Sequence, residues 1–329
     1  MPYPSMPDVC DYDVLRSEFG HILTPNRPCV ISTDIDGVFS AVLMSQVLNW
    51  HVVGFYTLDQ LFLHREYVPE NRAHPEGGLA QSEVVFLDHD VYRTNVDSIG
   101  HHMLQWSPDT PVPLHTDRRA SLNPNLLRGI TFKDFNRKYP FGTFHFLLAC
   151  ANAWGRLDGF APDEDITTLL LHIDSSFVNA INYQDNALDW LDWLGGSERE
   201  SPLYSICRRM LHWSPRVVLE RFSTLAKRFR SLGLRGRSQG EFKNPTIPEQ
   251  WSIIGRLLAW FKRETGWQAD LQPPDPTEMI TLDMDRRSCK PNRSLFEPVI
   301  AKQPFSYAII NRSNDGLNYN WFSDWAPDG

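Results

Sequence analysis

The sequence predicts an α/β fold, in which a parallel β-sheet carries helices on both faces and a smaller, mainly helical C-terminal domain follows. Two observations support this prediction. Short apolar segments alternate with segments of helical periodicity in the first half of the chain. Helical periodicity predominates in the second half. Strands that alternate with helices are typical of a mostly parallel sheet covered on both faces.

Four strands are predicted in the first half. They are residues 28–33, 52–57 and 84–87, with a fourth short strand near Ile99. A helix is predicted over residues 37–50, because its apolar residues recur at helical spacing. Residues 144–154 and 166–171 are predicted to be helical or buried.

The second half is predicted to be mainly helical. Apolar residues recur at helical spacing in four segments, which are 188–194, 203–211, 217–232 and 253–261. Residues 305–310 form one predicted strand, and a turn follows at residues 314–316. A boundary at Gly195 divides the chain into a predicted first domain, residues 1–195, and a predicted second domain, residues 196–329.

Composition excludes several classes of protein. The chain has 329 residues, of which 42% are hydrophobic, and this is enough to bury a sizeable core. No apolar run approaches the roughly 18 residues that a membrane-spanning helix needs. The first residues lack the basic and apolar regions of a secretory signal, and the five cysteines are widely spaced without a CxxC pair. We therefore expect a cytoplasmic protein without membrane contact, which could form a homo-oligomer.

The net charge of −8 hides one basic segment. Residues 207–243, here called the basic segment, contain ten Lys or Arg and two Glu, so they carry +8 and the rest of the chain −16. Such a segment in an acidic protein is expected to receive polyanions. Aromatic residues lie among the cations, which is typical of surfaces that stack bases and contact phosphates. An amphipathic helix with a buried apolar face and solvated cations would give the same pattern.

Two aspartates follow the first predicted strand. Asp34 and Asp36 lie where that strand ends and its helix begins, and Gly37 allows close approach of the backbone. In open parallel sheets, ligands bind beyond the carboxyl ends of the strands. Paired carboxylates suit Mg²⁺ or Mn²⁺. The same pattern also occurs where an aspartate only caps a helix.

A second polar group follows the next strands. Asp88 ends one predicted strand, and His101 and His102 follow the next. Imidazole suits Mn, Fe and Zn better than Mg. Together with the two aspartates after the first strand, these residues predict a metal site at the carboxyl edge of the sheet.

These motifs resemble those of the DHH phosphoesterase superfamily, which includes RecJ-type exonucleases, nanoRNases, cyclic-dinucleotide phosphodiesterases and family II pyrophosphatases. The resemblance covers roughly residues 28 to 180. The segments that carry it follow the family's order and are Ser32–Ala41, Val85–Asp88, Ile99–His102, Leu122–Asn125, Tyr139–Thr143 and Ile173–Phe177. No histidine lies near Val30, so the chain is more similar to the RecJ-type branch.

The resemblance implies an activity and roles for individual residues. It implies a hydrolase that uses two Mn²⁺ or Mg²⁺ ions to cleave phosphodiester bonds. Asp88 would bridge the two ions, and Asp34 would serve one of them. The shell of the other ion would be completed by Asp36, His101 and Asp174. His102 would contact the phosphate.

The sequence also departs from the family's pattern. Gly100 stands where the signature motif has an aspartate that supports the paired histidines. The interval between Asp88 and His101 is short, so Asp90 or Asp59 is an alternative to Asp88. No glycine-rich segment resembles the family's usual C-terminal substrate domain.

The sequence therefore leaves three alternative functions, of which the first is the leading prediction. The first is exonuclease-like hydrolysis of nucleic acid ends or short oligonucleotides, with Arg228 and Arg230 of the basic segment binding the phosphates of a single strand. The second is a degenerate family member that binds nucleic acid or a partner protein without hydrolysis, which Gly100 favours. The third is hydrolysis of a small phosphate compound, either a cyclic dinucleotide or pyrophosphate.

Overall fold

The chain forms two compact units. The first consists of Met1–Ser32, Trp50–Lys138 and Gln272–Gly329, and the second of Thr33–Asn49 and Tyr139–Leu271. The computed structural model describes residues 3–68, 83–93, 96–112, 120–157, 160, 162–195, 202–234, 248–267, 271 and 274–323. Residue 195 lies inside the second unit, so the boundary predicted at Gly195 does not coincide with a boundary between the two units.

Among the described residues, the first unit contains a nine-stranded sheet. Its strands are β1 (Pro28–Ser32), β2 (His51–Tyr56), β3 (Gln60–His64), β4 (Val85–Leu87), β5 (Asp97–Ile99), β6 (Ser121–Leu122), β7 (Met279–Cys289), β8 (Ser306–Ile309) and β9 (Leu317–Phe322). Across the sheet, the order is β6-β5-β4-β1-β2-β3-β7-β9-β8. The strands from β6 to β2 pair in parallel. The pairs from β2 to β8 are antiparallel.

The predicted parallel sheet is thus present, but it is only part of a mixed sheet. The segment predicted as a mainly helical C-terminal domain supplies β7, β8 and β9. The prediction missed β7 because Met284 is its only buried residue, while its other positions are half-buried or exposed. Such a strand lacks the apolar alternation that identifies strands in a sequence.

The apolar character of β1 follows from its place in the sheet. It lies between β2 and β4, and every residue after Pro28 is buried. Central parallel strands are covered on both faces, so their sequences are almost continuously apolar. On one side, Val30 belongs to a buried cluster that includes Tyr56, Phe86 and Phe305. This packing fixes the ends of β1 and β4, where the candidate ligands begin.

The described residues also form eleven α-helices. They are α1 (Tyr12–Phe19), α2 (Ile35–Leu48), α3 (Pro124–Arg128), α4 (Thr143–Ala153), α5 (Glu164–His172), α6 (Ser176–Asn182), α7 (Gln184–Trp193), α8 (Pro202–Leu211), α9 (Pro215–Leu232), α10 (Pro248–Thr265) and α11 (Arg293–Ala301). The helical segments predicted from apolar periodicity each overlap one of these helices, although the predicted segments 37–50, 144–154 and 188–194 run one or two residues past the helix ends. None of these helices is long and apolar enough to cross a membrane.

Aromatic residues form the core of the second unit. Phe39 of α2 contacts Phe144 of α4 and Phe261 of α10, with ring centroids 6.2 Å and 4.8 Å apart. Phe177 of α6 stacks on Phe222 of α9 at 3.7 Å. Each such aromatic pair stabilises the fold by more than its buried area alone would. These contacts therefore hold α2 firmly within this unit, and with it Asp34 and Asp36 at its start.

Candidate metal centre

Two neighbouring parallel strands end side by side and carry the first candidate ligands. β4 ends at Leu87 and β5 at Ile99, and these residues are partners in the register of the two strands. The backbone N–H of Asp88 donates to the carbonyl oxygen of Ile99 at 2.8 Å. Asp88, His101 and His102 therefore emerge together at the carboxyl edge of the sheet.

Asp88, His101 and His102 form a compact cluster, in which their potential ligand atoms all lie within 4.8 Å of one another. Nδ1 of His101 is 3.5 Å from Oδ1 of Asp88. Ser32, the last residue of β1, donates from Oγ to Oδ2 of Asp88 at 2.7 Å. Asp88 and His101 are buried, whereas His102 is half-buried. Carboxylate and imidazole donors at these separations can hold a divalent cation such as Mn²⁺.

Asp88 has a strained backbone. Its φ of 61° lies in the left-handed region, as do the φ angles of Asp174 (49°) and Ser175 (54°). A residue other than glycine keeps this conformation only where its surroundings enforce it, at a cost on the order of 1 kcal/mol or more. Asp174 is exposed and lies in a short 3-10 helix after α5, in the second unit. Two of the aspartates that the resemblance assigns to metal binding thus carry the strain that is common at functional sites.

The imidazoles beside Asp88 keep it ionised. Burial alone would raise the pKa of this carboxyl group. The hydrogen bond from His101, and the positive charge that His101 carries when protonated, instead hold the pKa well below its ordinary value. Asp88 is therefore a carboxylate at neutral pH, which is the form that binds a cation.

Lys138 lies beside His102, and no sequence motif identified it. Its Nζ is 3.4 Å from Nδ1 of His102 and 3.0 Å from the carbonyl oxygen of Ile309. A protonated lysine can only donate hydrogen bonds, so Nδ1 of His102 accepts and the ring proton of the neutral imidazole is on Nε2. In this tautomer, His102 offers an N–H donor rather than a free ligand nitrogen. A contact between His102 and a phosphate oxygen requires such a donor.

Asp34 and Asp36 lie at the start of α2, in the second unit. Asp34 caps α2, because its Oδ1 accepts from the backbone N–H groups of Asp36 and Gly37 at 3.0 and 3.1 Å. Asp36 is 2% exposed and accepts from the N–H groups of Thr143 and Phe144 at 2.8 Å each. It therefore stabilises the N-terminus of α4. Helix capping is therefore correct for Asp34, whereas Asp36 is buried against α4 rather than being the solvated neighbour of a capping residue.

Asp90, one alternative to Asp88, already accepts hydrogen bonds on both of its carboxylate oxygens. Its Oδ2 accepts from the N–H groups of His102 and Met103 at 2.6 and 2.8 Å. Its Oδ1 accepts from Nδ2 of Asn123 at 2.7 Å. Burial raises the pKa of Asp90, and these hydrogen bonds oppose that rise.

Asp59, the other alternative, is exposed and pairs with Arg286 at 3.2 Å. Within the described part of the chain, neither Asp59 nor Asp90 belongs to a group of three or more potential metal ligands. The geometry therefore favours Asp88 over both alternatives.

Most of the described part of the basic segment lies in α8 and α9, with a short connection at residues 212–214. Its last residues, 235–243, lie outside the described residues. Phe222 and Phe229 are buried in the core of the second unit, so the amphipathic-helix interpretation is correct for these aromatics and they do not form a base-stacking surface. Arg228 and Arg230 of α9 are exposed.

Arg228 borders a cleft in the second unit. Its guanidinium group lies 4.5 Å from the ring centroid of Trp260. Both residues line a cleft of about 450 Å³, together with Thr168, Arg221 and Leu225. A cation held against an aromatic ring beside a cleft can contact a phosphate group.

Comparisons with known proteins give no independent assignment. No protein-family model matches the sequence, and no curated protein shows significant similarity to it. The resemblance to the DHH superfamily therefore rests on the motifs quoted above. Function has to be argued from the chemistry of the site.

Proposed function

We propose that this protein is a divalent-metal-dependent phosphoesterase that hydrolyses phosphodiester bonds at nucleic acid ends or in short oligonucleotides. The observation that carries the proposal is the cluster of Asp88, His101 and His102 at the carboxyl edge of two parallel strands. It combines a carboxylate and an imidazole for a cation with an imidazole N–H donor for phosphate oxygens. Phosphoryl transfer needs this combination, because negative charge must be bound and stabilised in the transition state.

Each residue of the site has a role in this proposal. Asp88 and His101 would hold a cation, and their mixed donor set suits Mn²⁺. A pair of divalent cations, when bound, would polarise a phosphoryl oxygen and lower the pKa of the attacking water. Ser32 would keep the Asp88 carboxylate in one orientation. His102, in the tautomer set by Lys138, would donate from Nε2 to a phosphate oxygen.

The test is the metal-dependent release of nucleotides from a labelled single strand. We expect release with Mn²⁺, less with Ca²⁺ and none with a chelator. A cyclic dinucleotide and pyrophosphate are assayed in parallel under the same conditions. Hydrolysis of the cyclic dinucleotide or of pyrophosphate, without release of nucleotides from the strand, would establish the small-molecule function instead.

A second candidate function is binding of nucleic acid or a partner protein without hydrolysis. Asp36 favours it, because both of its carboxylate oxygens accept backbone N–H groups at the start of α4. If Asp36 serves helix stability alone, the site has one ligand fewer than a two-cation reaction uses. Binding of the labelled strand without release of nucleotides would support this candidate.

Replacing Lys138 tests the tautomer of His102. Lys138→Met keeps the length of the side chain and removes its charge and its donors. We expect kcat to fall by roughly 10- to 100-fold, the usual cost of losing a group that orients a reacting side chain. Affinity for Mn²⁺ should change little, because Lys138 is not a ligand.

Lys133→Met is the matched control, since Lys133 lies on the same segment and is exposed. An equal fall in kcat for both variants would show that the effect is a general one of charge. A wild-type kcat for Lys138→Met would remove Lys138 from the mechanism.

Replacing Arg228 and Arg230 together tests whether the basic segment binds the phosphates of a polyanion. Each phosphate contact on a single strand contributes roughly 0.7 to the slope of log K against log salt. We expect the double alanine variant to bind an oligonucleotide more weakly and with a shallower salt slope. Hydrolysis of pyrophosphate, if present, should not change.

Arg16→Ala with Lys290→Ala removes the same charge from exposed positions outside the basic segment and is the control. If both double variants lose the same affinity, only the net charge of the protein matters. If neither loses affinity, the cations of α9 are merely solvated.

A further inference from the structure

We propose that Asp90 positions the paired histidines of the site, and that it occupies the space that a side chain at position 100 would otherwise fill. This inference rests on the proposed function of the Asp88, His101 and His102 cluster. It assigns Asp90 a positioning role and makes Gly100 a requirement of that role rather than a sign of lost activity.

The contacts of Asp90 fix the backbone that carries both histidines. Its Oδ2 accepts from the N–H groups of His102 and Met103 at 2.6 and 2.8 Å. Two donors on one carboxylate oxygen hold this short segment in one conformation. Charge-assisted hydrogen bonds of this kind are roughly twice as strong as neutral ones, so Asp90 acts as a rigid support beneath the imidazole rings.

Two asparagines complete this support. Nδ2 of Asn123 donates to Oδ1 of Asp90 at 2.7 Å, while Oδ1 of Asn123 caps α3 by accepting from the N–H of Asn125 at 2.8 Å. Nδ2 of Asn125 donates to the carbonyl oxygen of His101 at 2.7 Å. Asp90, Asn123 and Asn125 are at most 5% exposed. The segment from His101 onward is thus held at a carbonyl and at two amides by buried side chains.

Gly100 is explained in part by the same carboxylate. A Cβ atom at position 100 would lie 2.7 Å from both Cγ and Oδ1 of Asp90, and 2.8 Å from the backbone carbonyl carbon of His89. Atoms without a bond between them do not approach so closely, so a larger residue cannot occupy position 100 while the Asp90 side chain and the His89 backbone are in place. Glycine at position 100 therefore allows Asp90 to reach the amides beyond it.

The experiment compares Asp90→Ala with the unaltered protein. Hydrogen exchange of the His102 and Met103 amides measures the support without any metal, and calorimetry with Mn²⁺ measures its consequence. We expect exchange in Asp90→Ala to be roughly tenfold faster or more. We expect Mn²⁺ affinity to fall by roughly 10- to 100-fold.

Two further variants keep the result interpretable. Asp90→Asn preserves the volume of the side chain and removes its charge, so it replaces Asp90→Ala if that protein does not fold. Asn320→Ala is the matched control, because Asn320 is buried in β9 and its Nδ2 donates to the carbonyl oxygen of Leu58 at 2.7 Å. This control should lose stability and keep its Mn²⁺ affinity.

Each outcome decides the inference. Unchanged exchange at His102 and Met103 in Asp90→Ala would overturn it, and so would wild-type Mn²⁺ affinity in that variant. If the unaltered protein binds Mn²⁺ but cleaves none of the tested phosphate compounds, the proposed function fails, while faster exchange and weaker Mn²⁺ binding in Asp90→Ala still support the role of Asp90.

Discussion

Asp88→Ala is expected to abolish measurable Mn²⁺ binding and to lower the rate of phosphodiester hydrolysis by roughly a thousandfold or more. Asp88 is the only carboxylate of the candidate metal cluster among the described residues. It is buried, ionised and held by Ser32 at 2.7 Å. Without it, His101 remains as the ligand in this cluster, and an imidazole alone binds Mn²⁺ weakly because that ion prefers oxygen ligands. Calorimetry with Mn²⁺ and the nucleotide-release assay measure the two effects.

The left-handed backbone of Asp88 calls for a second variant. Alanine at a φ of 61° is strained, so a loss of binding in Asp88→Ala could come from a local rearrangement. Asp88→Asn tolerates this conformation better and keeps an oxygen that can accept from Ser32. Both variants should lose Mn²⁺ binding. Asp59→Ala, at an exposed carboxylate, is the control and should behave as the wild type. An unchanged Mn²⁺ stoichiometry in Asp88→Asn would contradict the assignment and point to Asp90 or Asp59.

Arg27→Leu is expected to lower the free energy of unfolding by about 3–5 kcal/mol, the usual result of breaking a buried ion pair. Nη2 of Arg27 lies 2.9 Å from Oδ2 of Asp97, and the two residues are 5% and 2% exposed. Arg27 also donates to the carbonyl oxygens of His21 at 2.7 Å and Glu83 at 2.8 Å. It thus ties the segment before β1 to the starts of β4 and β5. Urea denaturation measures the loss.

The double variant Arg27→Leu/Asp97→Val separates the buried charge from the lost packing. Removing both charges should recover part of the stability, because the large cost of the single change is the buried Asp97 carboxylate that has lost its arginine. Arg16→Leu, on the exposed side of α1, should change stability by less than about 0.5 kcal/mol. If the double variant is no more stable than Arg27→Leu, the ion pair does not account for the loss.

Much of the fold could be predicted from local patterns. The apolar runs of β1, β2 and β4 and the helical spacing in α9 and α10 are properties of neighbouring residues, so periodicity identified them. The place of Asp88, His101 and His102 was also predictable, because the ends of adjacent parallel strands meet at one edge. The antiparallel part of the sheet was not, because β7 pairs with β3 across more than two hundred residues and has only one buried position.

The sequence by itself determined the α/β class, the parallel strands and the identity of the clustered carboxylate and imidazoles. Only the tertiary structure decided how the neighbouring polar residues are used. Asp36, in the first turn of α2, accepts the amides at the start of α4, Asp90 accepts the amides beyond Gly100, and Lys138 sets the tautomer of His102. Each of these roles depends on hydrogen bonds between residues that are distant in the chain. A hydrogen bond requires atoms within about 3 Å of each other in a favourable direction, and residue spacing carries no such information until the chain has folded.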